Sequence, residues 1–266
     1  RWINLPGFGS VQPSEFMKLG MPMMCAWFLS KRDLPPSLSS IAITLALIVV
    51  PVLLIAKEPD LGTSLLVAAS GIFVLFLAGL SWRLIASAAA LAVPLVAFAW
   101  NFLLHDYQRT RVLTLFNPEA DVQGAGWNII QSKTAIGAGG LTGKGYLEGT
   151  QSHLHFLPEG HTDFIIAAFS EEFGLLGVIL LMFIYACLLM RALYIAFSHP
   201  DVYSRLLAGA LAMSFFVYIF VNVGMVGGIL PVVGVPLPFI SYGGTAIVTL
   251  MAGFGLLMSI HTHKSS

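Results

Sequence analysis

One stretch of this chain, Leu157-Pro158-Glu159-Gly160-His161-Thr162-Asp163-Phe164, sets two carboxylates and an imidazole within five residues, directly ahead of a long apolar run. Thr162 or Asp163 suits the N-cap of the helix that Phe164 opens, which puts Asp163 at a helix N-terminus. An isolated Asp there is ordinarily just a cap. Two features give it a second reading, as a functional acid. Glu159 and His161 stand beside it, and helical spacing continues through Ala167, Ser170, Glu171 and Gly174 on one face. Glu171 and Glu172 then fall about two turns into the apolar run, where an acid is costly and marks function by default. The plain alternative for one of the pair is a bond to a neighbouring helix.

Cations accompany these acids. Arg109, Arg111, Lys133 and Lys144 share one polar stretch with Gly137-Ala138-Gly139-Gly140-Leu141-Thr142-Gly143-Lys144-Gly145. The run is not a phosphate loop of the nucleotide-binding kind, because Ala138 stands where the first glycine belongs and Gly145 follows Lys144. Most of these glycines serve tight turns, while the basic side chains suit an anion cradle. Upstream, Gln12-Pro13-Ser14-Glu15 with Lys18 reads as a capped helix start with an i,i+3 ion pair, or as a cation offered to an anionic head group. Lys57-Glu58-Pro59-Asp60-Leu61-Gly62-Thr63 has the same style. His153, His155 and His161 cluster with Glu159 and Asp163, but their spacing matches no specific zinc pattern.

The elements that must position these groups are membrane helices. Of 266 residues, 57% are hydrophobic and only 10% charged, with a mean hydropathy of +0.86. A soluble domain carries roughly 25% charged residues, so this chain cannot clothe an ordinary water-facing surface. Apolar blocks at about 16–30, 39–56, 61–80, 84–104, 164–190, 205–228 and 244–260 approach the roughly 20 residues that a 30 Å hydrocarbon core demands. The fold class is therefore an all-α polytopic membrane protein with about seven spans in this chain and one long polar loop, 105–163. Cys25 and Cys187 both lie inside apolar blocks and read as small buried hydrophobes. Net charge is zero, which gives no footprint for nucleic acid.

Placing the C-terminal tail on the cytoplasmic side puts Lys31, Arg32, Arg83, Arg191, Arg205 and Lys264 there, against Arg1, Lys18 and Lys57 at the opposite short connections. That excess places loop 105–163 outside. Acidic residues agree: only Asp33 and Asp201 fall inside. No internal repeat is visible. From Gly227 to Gly244, three prolines and five glycines in eighteen residues forbid a continuous helix, yet the run stays apolar. Irregular backbone at membrane depth needs protein or a water-filled cavity beside it, so this reads as a re-entrant segment lining a cavity. The chain opens on Arg1 rather than Met, as the C-terminal portion of something longer would.

At these motifs the chain resembles the SEDS (shape, elongation, division and sporulation) family of polytopic peptidoglycan glycosyltransferases. The resemblance runs over the whole chain, through Arg1-Trp2, Gln12-Pro13-Ser14-Glu15 with Lys18, Glu58-Pro59-Asp60-Leu61-Gly62-Thr63-Ser64, Arg109 with Arg111, Gly126-Trp127 with Gln131-Ser132, Gly139-Gly140 with Gly143, Leu157 to Phe164, Glu171-Glu172 with Gly174, and Pro236-Leu237-Pro238-Phe239-Ile240-Ser241-Tyr242-Gly243-Gly244. The Ile229–Pro236 stretch and the short tail look more like the elongation member than the division member, which often carries a lysine near Val233. His155 departs from the family, where an acid is common.

The resemblance implies a single membrane domain over 1–266 that lacks about three of ten helices upstream, in a bacterial inner membrane with its active site on the periplasmic side. It implies lipid II, a disaccharide-pentapeptide on undecaprenyl pyrophosphate, polymerised with inversion into β-1,4 glycan, with Asp163 as the general base. Arg1, Lys18, Arg109 and Lys133 are the implied pyrophosphate partners, with Glu159, His161 and Ser241 at the substrate and a divalent cation such as Mg2+ or Mn2+ sharing the charge. The implied protein partners are a class B penicillin-binding protein, which is a transpeptidase, and other elongation-complex membrane proteins. Two rival functions fit the same architecture: a lipid II flippase and a non-catalytic scaffold.

Overall fold

The computed structural model describes residues 3–5, 9–58, 60–102, 104, 106–121, 124–150 and 160–263. Arg1 and Glu159, and with them His153 and His155, lie outside these residues. Nine α-helices are described: α1 (Pro13–Ser30), α2 (Leu38–Lys57), α3 (Leu61–Leu77), α4 (Trp82–Phe102), α5 (Asp106–Phe116), α6 (Ala125–Gly139), α7 (Ile165–Ser198), α8 (Val202–Val226) and α9 (Gly244–Thr262). Five of them, α2, α4, α7, α8 and α9, are long and apolar enough to cross a membrane, and α3 is a shorter apolar helix. At 1.5 Å per residue the 20 residues of α2 span about 30 Å. The chain is a multi-pass membrane protein. Helix α4 shows what its solvent must be: no side chain in it is buried by the rest of the chain, although it is almost wholly apolar.

The chain forms two compact units. The first comprises Arg1–Gly79, Met182–Phe220 and Pro238–Ser266. It begins with an antiparallel hairpin, β1 (Ile3–Leu5) and β2 (Gly9–Val11), in the register Ile3↔Val11, which the sequence reading did not anticipate. Helix α3 packs on both α1 and α2, and α9 packs on α1. Asp60 caps α3 by accepting from the Thr63 amide at 3.1 Å, and its other oxygen accepts from Gln12 Nε2 at 2.6 Å, tying α3 to the start of α1. Tyr185 donates its hydroxyl to the Pro238 carbonyl at 2.6 Å, within an aromatic group that includes Phe215, Phe239 and Phe254. Cys25 is buried as expected, but Cys187 is exposed on α7. A small apolar residue on a membrane helix can face lipid as readily as core, and periodicity alone did not separate the two.

The second unit comprises Leu80–Leu181 and Val221–Leu237. The long polar loop expected at 105–163 is in large part helical: α5, a 3-10 turn (Pro118–Asp121) and α6 pack together. Helix α6 buries Gly126, Ile129, Ser132, Ala135 and Gly139, which recur at three- and four-residue steps. Small side chains make that stripe, so it lacked the hydropathy that would have flagged a helix.

Candidate functional site

The first part of α7 is not one straight run. Gly174 has φ 64° and ψ −167°, so the helix breaks there. A break leaves backbone groups without helical partners, and the glycine-rich turn after α6 supplies them. Leu175 and Leu176 donate to the carbonyls of Gly140 and Leu141 at 2.9 and 3.1 Å; Lys144 and Gly145 donate back to Glu171 and Glu172 at 3.0 and 3.1 Å. The approach is so close that a Cβ on Gly143 would stand 2.0 Å from the Glu172 carbonyl oxygen, and one on Gly174 would stand 2.3 Å from the Gly143 nitrogen. Lys144 extends to the fully buried Glu171 carboxylate at 2.7 Å, which also accepts from Thr150 at 3.1 Å. Of the four cations in the anion-cradle reading, Lys144 is thus engaged with an acid of the chain itself. The glycines let two backbones interlock, and Lys144 neutralises a buried acid.

Asp163 has a different setting. Helix α7 starts at Ile165, one residue later than the sequence placed it, and Asp163 stands two residues ahead. Its backbone carbonyl accepts from Asn222 Nδ2 at 2.9 Å, and the same nitrogen donates to the Val235 carbonyl at 2.7 Å. The neighbouring Gly234 has φ 72°, and a Cβ there would lie 3.3 Å from Asp163 Oδ2. The carboxylate of this partly buried residue thus lies against bare backbone of the irregular segment. That segment begins where α8 unwinds: Ile229 and Leu230 both donate to the Gly224 carbonyl, at 2.8 and 3.0 Å, and Gly228 turns with φ 68°.

Lys133 lies at the other end of the same segment. The buried Ser132 hydroxyl bonds the Val226 carbonyl at 3.0 Å, fixing α6 against the end of α8. The next residue, Lys133, lies so close over Gly228 that a Cβ there would meet its Nζ at 2.7 Å. A carboxylate and an ammonium are therefore placed along one stretch, 228–234, of glycine-punctuated backbone. Arg109, on α5, donates from Nη2 to the Asn101 carbonyl at 3.1 Å and sits 3.7 Å from Asp106. Its Nε is buried with no acceptor among the described residues. His161 is exposed, in the turn before α7.

The remaining candidates belong to the first unit. Lys18 is 6% exposed, paired with Glu15 at 2.5 Å, with its ammonium 5.1 Å from the centre of the Tyr218 ring. The i,i+3 ion pair expected from the sequence is present. Ser241 is 2% exposed, in the turn before α9. Among the described residues no three acids, histidines or cysteines converge to hold a metal ion. Sequence reasoning missed Asn222. Its signal was available: a buried amide inside the apolar block 205–228 needs a polar partner.

The class these features define is a multi-pass membrane protein with an acid and a cation held along a non-helical, apolar, glycine-rich segment. The chain belongs to the FtsW/RodA/SpoVE family, the SEDS family of the motif resemblance: the profile described as "FTSW_RODA_SPOVE: Cell cycle protein" matches residues 1–266. It is 57% identical over 264 residues to the peptidoglycan glycosyltransferase MrdB of Escherichia coli K12, covering 99% of this chain and 71% of that one. It is 40% identical to a probable peptidoglycan glycosyltransferase FtsW of Trichlorobacter lovleyi, covering 98% and 68%. Among solved structures, a chain from a peptidoglycan synthase complex that coordinates polymerization and crosslinking matches with a TM-score of 0.84 at 30% identity, covering 100% of this chain and 74% of that one. The rod shape determining protein RodA of Thermus thermophilus matches with a TM-score of 0.69 at 28% identity, covering 100% and 70%.

Proposed function

We propose that this chain is a peptidoglycan glycosyltransferase of the elongation type, polymerising lipid II on the periplasmic side of the bacterial inner membrane. The higher identity to MrdB than to the FtsW relative supports the elongation assignment. The observation that carries the catalytic reading is the setting of Asp163: a carboxylate whose backbone is pinned by Asn222 and whose oxygen lies beside Gly234, on the segment that also carries Lys133 near Gly228.

In that reading the 4-hydroxyl of the acceptor N-acetylglucosamine loses its proton to Asp163 as its oxygen attacks the donor sugar's anomeric carbon. The new carbon–oxygen bond forms on the face opposite the departing pyrophosphate, so an α linkage becomes β. One base and a positive field at the leaving group are what such a displacement needs. Lys133 and Arg109 supply the field from this unit, the latter with a guanidinium N–H that no described group uses. The family resemblance further gives Arg1, Lys18, Glu159, His161 and Ser241 as substrate-binding candidates. A divalent cation such as Mg2+ or Mn2+, if bound, would add charge neutralisation on the pyrophosphate; the described residues offer no cluster of acids and histidines to hold it, so no step is assigned to it. A class B penicillin-binding protein is the partner that would cross-link the product, a reading supported by the likeness to a chain of a synthase complex.

The test is polymerisation of purified lipid II by the purified protein and by its Asp163→Asn variant. The expected result is glycan from the first and none above background from a folded second. Undiminished polymer from the variant would remove Asp163 as base. No polymer from either, with lipid II crossing vesicles, would favour a flippase.

A further inference from the structure

We propose that Asn222 is the positioning residue of this site, setting the distance between the Asp163 backbone and the segment that flanks its carboxylate. This rests on the reading of Asp163 as the base. Asn222 lies in the last turns of α8 with no exposed surface. Its amide nitrogen has two protons, and both are spent on backbone carbonyls from different parts of the chain, Asp163 at 2.9 Å and Val235 at 2.7 Å. The orientation of the amide is forced: turned over, its oxygen would face two other acceptors. That leaves Oδ1 buried without a donor among the described residues. A core asparagine with an unmet oxygen costs stability, and an apolar side chain of the same size would avoid that cost. What the asparagine does, and no apolar residue can, is hold two carbonyls at a fixed separation across one planar group.

The consequence falls on the carboxylate. Val235 follows Gly234, and Gly234 is the residue that Asp163 Oδ2 lies against. Fixing the carbonyls of Asp163 and Val235 therefore fixes the acid relative to the backbone beside it. A general base must come within about 2.6–3.2 Å of the proton it takes, and a misplacement of about 1 Å costs about a hundredfold in rate. Asn222 has no exposed surface through which to meet a substrate, so its effect is on turnover through Asp163.

The experiment measures kcat and KM for lipid II polymerisation, with melting temperature, for Asn222→Ala and Asn222→Asp in the purified full chain. Asn222→Asp keeps size and shape but turns a second acceptor toward the two carbonyls. The expected result is a fall in kcat of about ten- to a hundredfold with KM changed less than about threefold, larger for Asp than for Ala. The acid limb of the pH–kcat profile moves as well, because the acid that titrates has changed its surroundings. If Asn222→Ala does not fold, Asn222→Asp carries the test alone, and Asn222→Gln, which restores the donors on a longer stem, recovers part of kcat. Wild-type kcat in a folded Asn222 variant overturns the proposal. So does a fall matched by the fraction of unfolded protein, with an unmoved pH profile. Asp163→Asn is assayed alongside: full activity there defeats the base reading, whereas an inactive Asp163→Asn with fully active Asn222 variants defeats only this inference.

Discussion

Asp163 and Glu171 lie eight residues apart, at the same end of the same apolar stretch, and the chain treats them in opposite ways. Glu171 has no exposed surface, and it is met by the Lys144 ammonium at 2.7 Å and the Thr150 hydroxyl at 3.1 Å. Its backbone carbonyl accepts from Lys144 as well. Asp163 is partly exposed, and its backbone carbonyl is held by Asn222. The contrast separates two uses of an acid near a membrane. One is neutralised by a dedicated cation and closes a join in the fold; the other is held in place with its oxygen beside a glycine. Depth in the apolar run marked Glu171 and Glu172 as a costly pair, and Glu171 takes the plain alternative, a bond to a donor elsewhere in the fold.

The largest effect should come from Gly174→Ala, which breaks the join that Glu171 closes. The new Cβ would meet backbone atoms of Gly143 and Leu141 at 2.3 and 2.7 Å, at a φ of 64° that alanine tolerates poorly. Neither backbone can yield without losing the bonds from Leu175 and Leu176. A loss of about 3 kcal/mol or more follows, read as a lower melting temperature in detergent. An unchanged melting temperature would show that the interlock is not what holds α7 across its break.

Glu171→Gln comes next. Breaking a fully buried pair costs about 3–5 kcal/mol, but Lys144 keeps 30% of its side chain exposed and can turn to solvent. About 2 kcal/mol is the expected loss. Turnover per folded molecule should stay near wild type, and adding Lys144→Met should recover part of the stability. A specific loss of turnover in the well-folded variant would collapse the distinction between the two acids.

The membrane class, the apolar blocks and the irregular run from Gly227 were legible because lipid leaves its mark on composition, and proline and glycine punctuate helices openly. Asp163 was legible as a candidate from its position before an apolar run, and the reading of it as a base came from the family motifs. The partition of the cations was not legible. Lys18, Lys133 and Lys144 are the same residue type in polar surroundings, yet one is buried against Glu15, one lies over Gly228 and one serves Glu171. Those assignments depend on contacts between elements far apart in the chain. The helical content of 106–139 was hidden for another reason: α6 packs through glycine, serine and alanine, which carry little hydropathy. Asn222 was passed over because one amide in an apolar block looks like noise until its two carbonyls are seen.

Gly234→Ala tests the other side of the comparison with a smaller structural effect. Its φ of 72° costs an alanine about 1 kcal/mol, and the Cβ would press on Asp163 Oδ2 from 3.3 Å. The carboxylate must give by a few tenths of an ångström, so turnover should fall about tenfold. This is the reverse signature of Glu171→Gln, with activity lost out of proportion to stability. Equal kcat in Gly234→Ala would mean that the carboxylate does not work from this position.

The smallest effect isolates an acid with a local task only. Asp201 stands before α8 and accepts from the Ser204 amide at 2.9 Å and the Ser204 hydroxyl at 2.8 Å. Chiefly the Ser204 backbone bond, and then its hydroxyl and the nearby His199, hold the Asp201 carboxyl below its usual range. A depressed folded value means that the contribution is present above the unfolded pKa, about 3.9, and fades as pH falls through the folded one. Asp201→Asn caps nearly as well and does not titrate, so it should leave stability at neutral pH within about 1 kcal/mol and flatten the acid limb of a melting-temperature profile. Glu171→Gln should instead lower that profile at neutral pH, because it removes the charge that Lys144 answers. If the Asp201→Asn and Glu171→Gln profiles coincide, burial and pairing do not distinguish the acids of this chain, and the assignment of chemistry to Asp163 loses its physical basis.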